Sequence, residues 1–319
     1  MNKRLLGITI ATLWLAAGAA WAQPKPIRIV VSFTAGGPVD SVARALAEQL
    51  GKELGRTVVI DNKPGANGAI GAVDVMRSEP DGSTLWITSV GAAAINPALY
   101  EKLPYDMQRD FVPLSLVVNN VELLVVNAND PAKDAADFIA ATKARKDATA
   151  MASSGIGSIP HLAIEQFADA AGARFLHIPY KGAAPAITDL MGGQVSAFFG
   201  DVPGLIGHVQ GGKLKALGIA SPKRHPALPD VKTLEEQGIK GVDTNNWYAL
   251  FAPAKTPPAT IDALNKAVRN ALANPGLRDK LLKSGAEPAA STPKELAWLL
   301  KQDTDKWAAL IRAKNIKAE

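Results

Sequence analysis

Two stretches of the sequence place an apolar run, a polar turn containing glycine and a helical pattern in immediate succession. The first turn covers residues 34–40, Thr-Ala-Gly-Gly-Pro-Val-Asp, after the apolar run 27–33, and the second covers residues 153–161 after the run 149–152. Each turn ends at a helix N-terminus, where the first N–H groups have no intrahelical partner and the helix dipole is positive. We therefore expect two turns that attract an anion through backbone amides.

Backbone amides are sufficient for such a site. A dissociation constant of about 1 μM corresponds to about −8 kcal/mol, and a hydrogen bond to a charged group contributes about 1.5–3 kcal/mol before ordering costs. Four or five donors aimed at one carboxylate therefore suffice without an arginine. A simpler interpretation stays open, in which Asp40 only caps its own helix and Gly36 and Gly37 only permit a tight turn.

Several other chemistries are excluded by the residues present. Cysteine is absent, which removes disulfides, thiol nucleophiles and thiolate metal sites. The Gly-Lys pairs at residues 51–52 and 212–213 are not followed by Ser or Thr, so neither is a Walker loop. The glycine-rich run 65–71 lacks dinucleotide-binding spacing and is interpreted as a loop that leads into a close-packed helix. We expect no cofactor.

Histidine and charge exclude two further classes of site. The four histidines, at positions 161, 177, 208 and 225, have no helical metal-binding spacing, so no metal site is expected. The net charge of +5 is small and spread along the chain, without a basic stripe. Nucleic acid is therefore not expected as a partner.

An enzymatic alternative remains open from the residues alone. An exported enzyme acting on a carboxylate or an ester would use Lys181, Ser153 or His161 as its reactive group. Against it, residues 152–156, Ala-Ser-Ser-Gly-Ile, do not form the Gly-x-Ser-x-Gly elbow of hydrolases. The preferred interpretation is a binding protein without catalytic activity.

The elements that position these turns alternate along the chain. A length of 319 residues predicts two domains, and strands separated by helical patterns predict an α/β fold built from parallel βαβ units. Each lobe is expected to be a central sheet flanked by helices. The predicted strands are Ile27–Phe33, Val58–Ile60, Leu85–Thr88, Leu123–Val126, Thr149–Ala152, Phe175–Ile178, Val195–Phe199, Leu214–Ala220 and Trp247–Phe251.

The first 22 residues have the order of a secretory signal peptide. Lys3 and Arg4 precede an apolar run at residues 5–15, and small residues lead to Ala20-Trp21-Ala22. Cleavage is expected after Ala22, which would leave a soluble, exported protein. The alternative, a membrane-spanning helix, is disfavoured because the stretch is short and diluted by Gly and Ala.

A series of motifs in order along the chain resembles the tripartite tricarboxylate transporter receptor family, the Bug-type periplasmic solute-binding proteins. The motifs are Phe33-Thr34-Ala35-Gly36-Gly37-Pro38-Val39-Asp40, Asn62-Lys63-Pro64-Gly65-Ala66-Asn67-Gly68, Pro80-Asp81-Gly82, Asn96-Pro97, Leu103-Pro104-Tyr105-Asp106, His161-Leu162 and Pro179-Tyr180-Lys181-Gly182. The resemblance implies a two-lobed Venus-flytrap fold of type II, with a carboxylate bound between the two anion turns.

The resemblance also implies which residues bind the ligand and which partners the protein has. It places Phe33, Ala35, Gly36, Gly37, Asp40, Ser153, Gly155, Ser158 and His161 at the site, with Ser89, Tyr180, Gly182 and Asp201 added. Lobe 1 is expected to comprise residues 23–123 and 248–319, and lobe 2 residues 124–247. The implied partner is an integral-membrane permease, with a sensor kinase as the alternative. Aliphatic, aromatic, keto and amino acids all stay open as ligands.

Overall fold

Residues 25–318 are described by a computed structural model, in which the strands form two separate sheets of six and five strands. The proposed signal peptide lies outside the described residues. The strands are β1 (Ile27–Val31), β2 (Val58–Asn62), β3 (Thr84–Ser89), β4 (Phe111–Asn119), β5 (Glu122–Asn127), β6 (Thr149–Ser153), β7 (Phe175–Pro179), β8 (Ala197–Asp201), β9 (Leu214–Ile219), β10 (Tyr248–Pro253) and β11 (Glu287–Pro288).

The helices flank these sheets. They are α1 (Pro38–Leu54), α2 (Ala69–Met76), α3 (Asn96–Leu99), α4 (Met107–Asp110), α5 (Ala135–Ala144), α6 (Ile159–Ala171), α7 (Ala183–Met191), α8 (Val202–Gln210), α9 (Pro258–Ala273), α10 (Pro275–Lys283) and α11 (Pro293–Lys314). A 3₁₀ turn at Ala66–Gly68 and a π turn at Gly91–Ile95 precede α2 and α3.

The first sheet runs β11-β4-β10-β3-β1-β2 and the second runs β7-β6-β8-β5-β9. Five strands of the first sheet, β2-β1-β3-β10-β4, follow the same order as the second sheet, and β11 is an additional edge strand. Each sheet has a strand that is antiparallel to both neighbours, β10 between β3 and β4 and β5 between β8 and β9; in the first sheet β4 is also antiparallel to both β10 and β11. The pairs β1–β2, β1–β3, β6–β7 and β6–β8 are parallel. The predicted α/β class and its parallel units therefore agree with the structure.

The antiparallel strands mark where the chain passes between the sheets. Residues 120–121 join β4 directly to β5, and residues 220–247 lead back from β9 to β10. These two crossings pair with each other, because Val121 bridges Asn245 and the Asn246 amide donates to the Asn120 carbonyl at 2.8 Å. The exact lobe boundaries stay a prediction.

The core of the first sheet explains why its central strands are apolar throughout. Every residue of β3 and β10 is buried, as expected of strands covered on both faces. Helices α1 and α9 cover one face around Leu85 and Ile87, whereas Trp86 and Phe251 face α11 on the other side. Ile159 of α6 also packs against this second cluster, so the two halves of the molecule share apolar contact.

Several elements are not predicted by the sequence pattern, including β4, β11 and the short helices α3, α4 and α8. Strand β4 contains Pro113 and Ser115, which interrupt its apolar run, and Pro113 is accommodated at an irregularity in the pairing with β10. Helix α8 contains Gly204 and Gly207, which have low helix propensity. In both cases burial against a neighbouring element outweighs the local preference.

Candidate functional site

The carboxyl ends of parallel strands from both sheets face one cavity of about 610 Å³. Residues 33–39 follow β1 and line it, Ser89 lines it at the end of β3, Ser154 follows β6, and Asp201 ends β8. In open α/β sheets, ligands bind outside the carboxyl ends of the strands. The cavity therefore lies where the fold itself predicts a ligand.

Four helices begin at this cavity. Its lining includes first-turn residues of α1 (Pro38 and Val39), α6 (Ile159 and Pro160), α7 (Ala183 and Ala184) and α8 (Pro203 and Gly204). Each helix N-terminus contributes a partial positive charge of about +0.5 and unpaired N–H groups. Within the described part of the chain, no lysine or arginine lines the cavity. The positive potential that an anion would meet therefore comes from the backbone.

Asp40 fixes the shape of the first turn. Its Oδ2 accepts hydrogen bonds from the Gly36 amide at 2.8 Å and from Arg44 Nε at 2.9 Å, and its Oδ1 accepts from Asn62 Nδ2 at 3.0 Å. Burial opposes ionisation of Asp40, but these hydrogen bonds outweigh it and hold the pKa of the carboxyl below its usual value. Gly36 has φ +78° and faces open space. Asp40 thus supports the turn from behind, without lining the cavity.

Ser158 and Gly155 organise the second turn. Ser158 is the N-cap of α6, and its hydroxyl accepts from the His161 amide at 3.4 Å and donates to the Gly155 carbonyl at 2.7 Å. Gly155 has φ +132°, and its amide donates to Ser153 Oγ at 3.1 Å. Ser158 lines the cavity, whereas Ser153 is fully buried behind it.

Two stacked histidines lie beneath this turn. The rings of His161 and His177 are 3.8 Å apart and almost parallel, and His161 Nδ1 accepts from the Gly157 amide at 3.1 Å. Burial, together with the neighbouring His177, lowers the pKa of His161 to about 3, and burial lowers the pKa of His177 to about 4. Both rings are therefore neutral at pH 7 and act as packing and hydrogen-bonding groups.

The loop after β7 approaches the cavity from the same side. Gly182, with φ +106°, lines it as the N-cap of α7, and its amide donates to the Ser154 carbonyl at 3.2 Å. Tyr180 points away, because its hydroxyl donates to Asp189 Oδ2 at 2.7 Å. Lys181 is exposed and does not line the cavity.

The wall that joins the two sheets carries polar groups. Tyr248, at the start of β10, lies opposite Ser89 in the antiparallel pairing with β3, and its hydroxyl donates a hydrogen bond to Asp201 Oδ2. Glu122, at the start of β5, is fully buried opposite Asp201. Burial raises the pKa of Asp201 to about 6, and burial together with the nearby Asp201 raises the pKa of Glu122 well above its usual value.

The residues expected at the site thus fall into two groups. Those that line the cavity are Phe33, Ala35, Gly36, Gly37, Ser89, Ser158, Gly182 and Asp201. Those placed directly behind it or facing away are Asp40, Ser153, Gly155, His161 and Tyr180. Direct contact of this second group with a ligand stays a prediction.

Sequence reasoning missed part of the cavity. Asn67 and Gly91 line it from the first sheet's side, and Ile187, Met191 and His208 line it from α7 and α8. Asn67 also donates to the Gly157 carbonyl across the cleft at 3.3 Å. A signal for α8 was available, since proline at the second helical position after a strand marks a helix start.

The described residues contain neither a cluster of metal-binding side chains nor a helix that could cross a membrane. Across residues 25–318, no cluster of three or more His, Cys, Asp or Glu side chains could hold a metal ion. None of the helices described is both long enough and apolar enough to cross a bilayer.

Comparison with known proteins gives the family. A family model described as the tripartite tricarboxylate transporter family receptor, TctC, matches residues 42–316. The chain belongs to this receptor family. The structure of the periplasmic binding protein BugD is 35% identical and superposes with a TM-score of 0.85, covering 92% of this chain and 99% of BugD. The predicted two-lobed, type II-like binding-protein fold is confirmed, and the family is periplasmic.

Two further structures of relatives contain carboxylates. Rpa4515 of R. palustris, solved with adipate, is 31% identical with a TM-score of 0.88, covering 92% of this receptor and 98% of that chain. MatC (Rpa3494) of Rhodopseudomonas palustris, solved with malate, is 32% identical with a TM-score of 0.82, covering 90% of this receptor and 98% of that chain. Both share the fold that brings the helix N-termini of this receptor to one cavity.

Proposed function

We propose that this receptor binds a small organic carboxylate in the cavity between its two sheets and delivers it to the membrane permease of a tripartite tricarboxylate transporter. The observation that carries the proposal is the convergence of four helix N-termini on a cavity that no lysine or arginine lines within the described residues. Helix N-termini bind carboxylates as well as other small anions, and the cavity has the size of a small-molecule site.

The proposal is supported by the position of the donors on both sides of the cleft. Helix α1 approaches from the first sheet and α6, α7 and α8 from the second. An anion bound between them receives hydrogen bonds from both halves, so that ligand binding favours the closed arrangement. The relatives solved with adipate and malate support the same ligand class for this chain.

The direct test is thermal stabilisation by adipate and malate, followed by calorimetric titration. Adipamide, the uncharged analogue of adipate, is the matched control for anion recognition. A ligand at 100 times its dissociation constant stabilises the protein by about 2.7 kcal/mol. Equal stabilisation by adipate and adipamide, or none by any member of a wider carboxylate library, would contradict the proposal.

We also propose that the protein is not an enzyme. Within the described residues, a hydrolase could use the contact between Ser153 Oγ and His177 Nε2 at 2.6 Å. Ser153 is fully buried and does not line the cavity, and within the described residues no carboxylate hydrogen-bonds to His177, so the third member of a triad is missing. Recovery of unchanged ligand, in stoichiometric amount after prolonged incubation, is the expected result.

Export and partner choice complete the proposal. We expect cleavage after Ala22, which N-terminal sequencing of the exported protein tests. We expect lobe 1 to comprise residues 23–123 and 248–319, and lobe 2 residues 124–247. The family description favours a permease over a sensor kinase as the partner. Loss of carboxylate uptake on deletion of the gene, restored by the intact gene, is the expected result.

A further inference from the structure

A pair of carboxyl groups lies where the cavity meets the crossing between the two sheets. Glu122 is the first residue of β5, Asp201 is the last residue of β8, and the two are directly opposite in the antiparallel pairing. Glu122 is fully buried, whereas Asp201 is half-buried and lines the cavity. Side chains opposite each other on antiparallel strands are close enough to interact directly.

Within residues 25–318, the hydrogen-bond partners of this pair are an amide and a hydroxyl group. Asn246 Nδ2 donates to Glu122 Oε1 at 3.1 Å, and Tyr248 donates its hydroxyl proton to Asp201 Oδ2. Helix α8 and strands β9 and β10 pack around the pair; Tyr248 of β10 contacts Asp201 directly, and His208 of α8 lines the same cavity. In residues 25–318, neither carboxyl forms an ion pair with lysine, arginine or histidine.

Two adjacent carboxyl groups without a cation do not both ionise near neutral pH, so the pair retains a proton. Glu122 is the better holder, because it is wholly buried and its Oε2 has no hydrogen-bond donor to stabilise a negative charge. Asp201 has the Tyr248 hydroxyl as a donor and borders the cavity. The negative charge therefore resides on Asp201.

We propose that Glu122 is a positioning residue that holds the proton of this pair, so that Asp201 is the negatively charged acceptor for a hydroxyl or ammonium group on the bound carboxylate. This inference rests on the proposed function. The helix N-termini take the carboxylate, and Asp201 takes the donor on the same ligand. The receptor then prefers hydroxy- or amino-substituted carboxylic acids to their unsubstituted counterparts, because the latter leave Asp201 without a partner.

Matched acids test the preference. Malate and aspartate are compared with succinate, and mandelate with phenylacetate, by calorimetric titration at pH 7. In whichever of these two series the wild-type protein binds, it is expected to bind the substituted acid at least tenfold more tightly than the unsubstituted acid. Asp201→Asn, which removes the charge but keeps the shape, is expected to reduce this preference at least fivefold.

Variants of Glu122 separate positioning from packing. Glu122→Gln keeps a hydrogen-bond donor toward the Asp201 carboxylate and is expected to retain the preference for substituted acids. Glu122→Leu removes this donor and is expected to abolish that preference. Glu53→Gln, at a surface carboxylate distant from the cavity, is the control. A Glu122→Leu variant that is folded and keeps the full preference overturns the positioning role.

The location of the proton is measured without any ligand. Infrared spectroscopy of the ligand-free protein at pH 7 should show the carbonyl band of a protonated carboxyl group. The band should disappear in Glu122→Gln and remain in Asp201→Asn. Absence of the band in wild type, or its loss in Asp201→Asn alone, overturns the assignment.

The outcomes distinguish the inference from the function on which it rests. Binding of carboxylates without preference for the substituted acids overturns the inference alone. Failure of every carboxylate to bind overturns the proposed function and the role of Asp201 in recognition together.

Discussion

Replacing Asp40 with alanine is expected to weaken carboxylate binding about 100-fold, although Asp40 itself does not line the cavity. The carboxylate of Asp40 holds the Gly36 amide at 2.8 Å, and Gly36 faces the open cavity. Without this acceptor the turn at residues 34–37 loses its fixed geometry. The bound anion then has to order the turn at the cost of part of its own binding free energy.

The magnitude follows from the number of residues that lose their order. Fixing the backbone of one residue costs about 1–2 kcal/mol, so reordering Ala35 and Gly36 on binding costs about 2–4 kcal/mol. At about 1.4 kcal/mol per factor of ten, this corresponds to about 30-fold to 1000-fold in the dissociation constant. Loss of the buried, charge-assisted hydrogen bond should also lower the free energy of unfolding by about 1.5–3 kcal/mol.

Arg44→Ala is the matched control for this prediction. It removes the 2.9 Å ion pair with Asp40 but leaves the Gly36 hydrogen bond in place, and the Arg44 side chain is 53% exposed. Such an exposed pair contributes about 0–1 kcal/mol, so binding should change less than fivefold. Titration calorimetry with the carboxylate that stabilises the wild type, and urea unfolding of each variant, give both quantities. Unchanged affinity in a folded Asp40→Ala variant would show that the first turn takes no part in binding.

Two further predictions concern the cleft and the buried histidines. Gly204→Val is expected to weaken carboxylate binding at least tenfold, because a Cβ at Gly204 would already lie 3.1 Å from Pro38 Cγ across the cleft. The Gly207→Val variant is the control, since a Cβ at Gly207 of the same helix meets open space, and it should bind carboxylate normally in the same titration. Because the pKa values of His161 and His177 are lowered to about 3 and 4, the unfolded chain binds protons below pH 6.5 that the folded chain does not. Stability from these residues is therefore lost as the pH falls from 6.5 toward 4, by up to about 1.4 kcal/mol per pH unit for each histidine. His177→Gln should flatten this dependence in urea unfolding between pH 7 and pH 4.5, and an unchanged slope would contradict it.

The fold was predictable where the pattern is strong and local. Apolar runs predicted the strands around Ile29, Leu85 and Met151, and the structure places β1, β3 and β6 there. Strand β4 escaped prediction because Pro113 and Ser115 interrupt its run, and it exists because β10 pairs with its whole length. Pairing between residues more than 100 positions apart is not encoded in a local window.

The site was predictable where a turn carries its own chemistry. The first turn was found because glycine, proline and a helix start coincide at Gly36, Gly37 and Pro38. Glu122 escaped prediction because it is a single acid at a strand start. Its meaning depends on Asp201, which only the antiparallel register of β5 and β8 brings opposite it. Sequence reasoning can therefore find a turn that lines the cavity, but not a pair of side chains assembled from two strands.

The proposed anion site at the helix N-termini has a physical consequence for the specificity of this receptor. A buried arginine needs a partner in the empty state, since an unpaired buried charge is costly, whereas backbone amides are solvated by ordinary water until the ligand arrives. The amides at the helix N-termini also belong to the backbone, so they are present whichever side chains the neighbouring residues carry. Side chains farther along α7 and α8, such as Ile187, Met191 and His208, also line the cavity and can therefore change without altering the backbone amides at the helix N-termini. Relatives of about 30% identity solved with ligands as different as adipate and malate agree with this separation. Exchanging Ile187 and Met191 for other apolar residues should accordingly change which carboxylate binds, while the requirement for a carboxylate is retained.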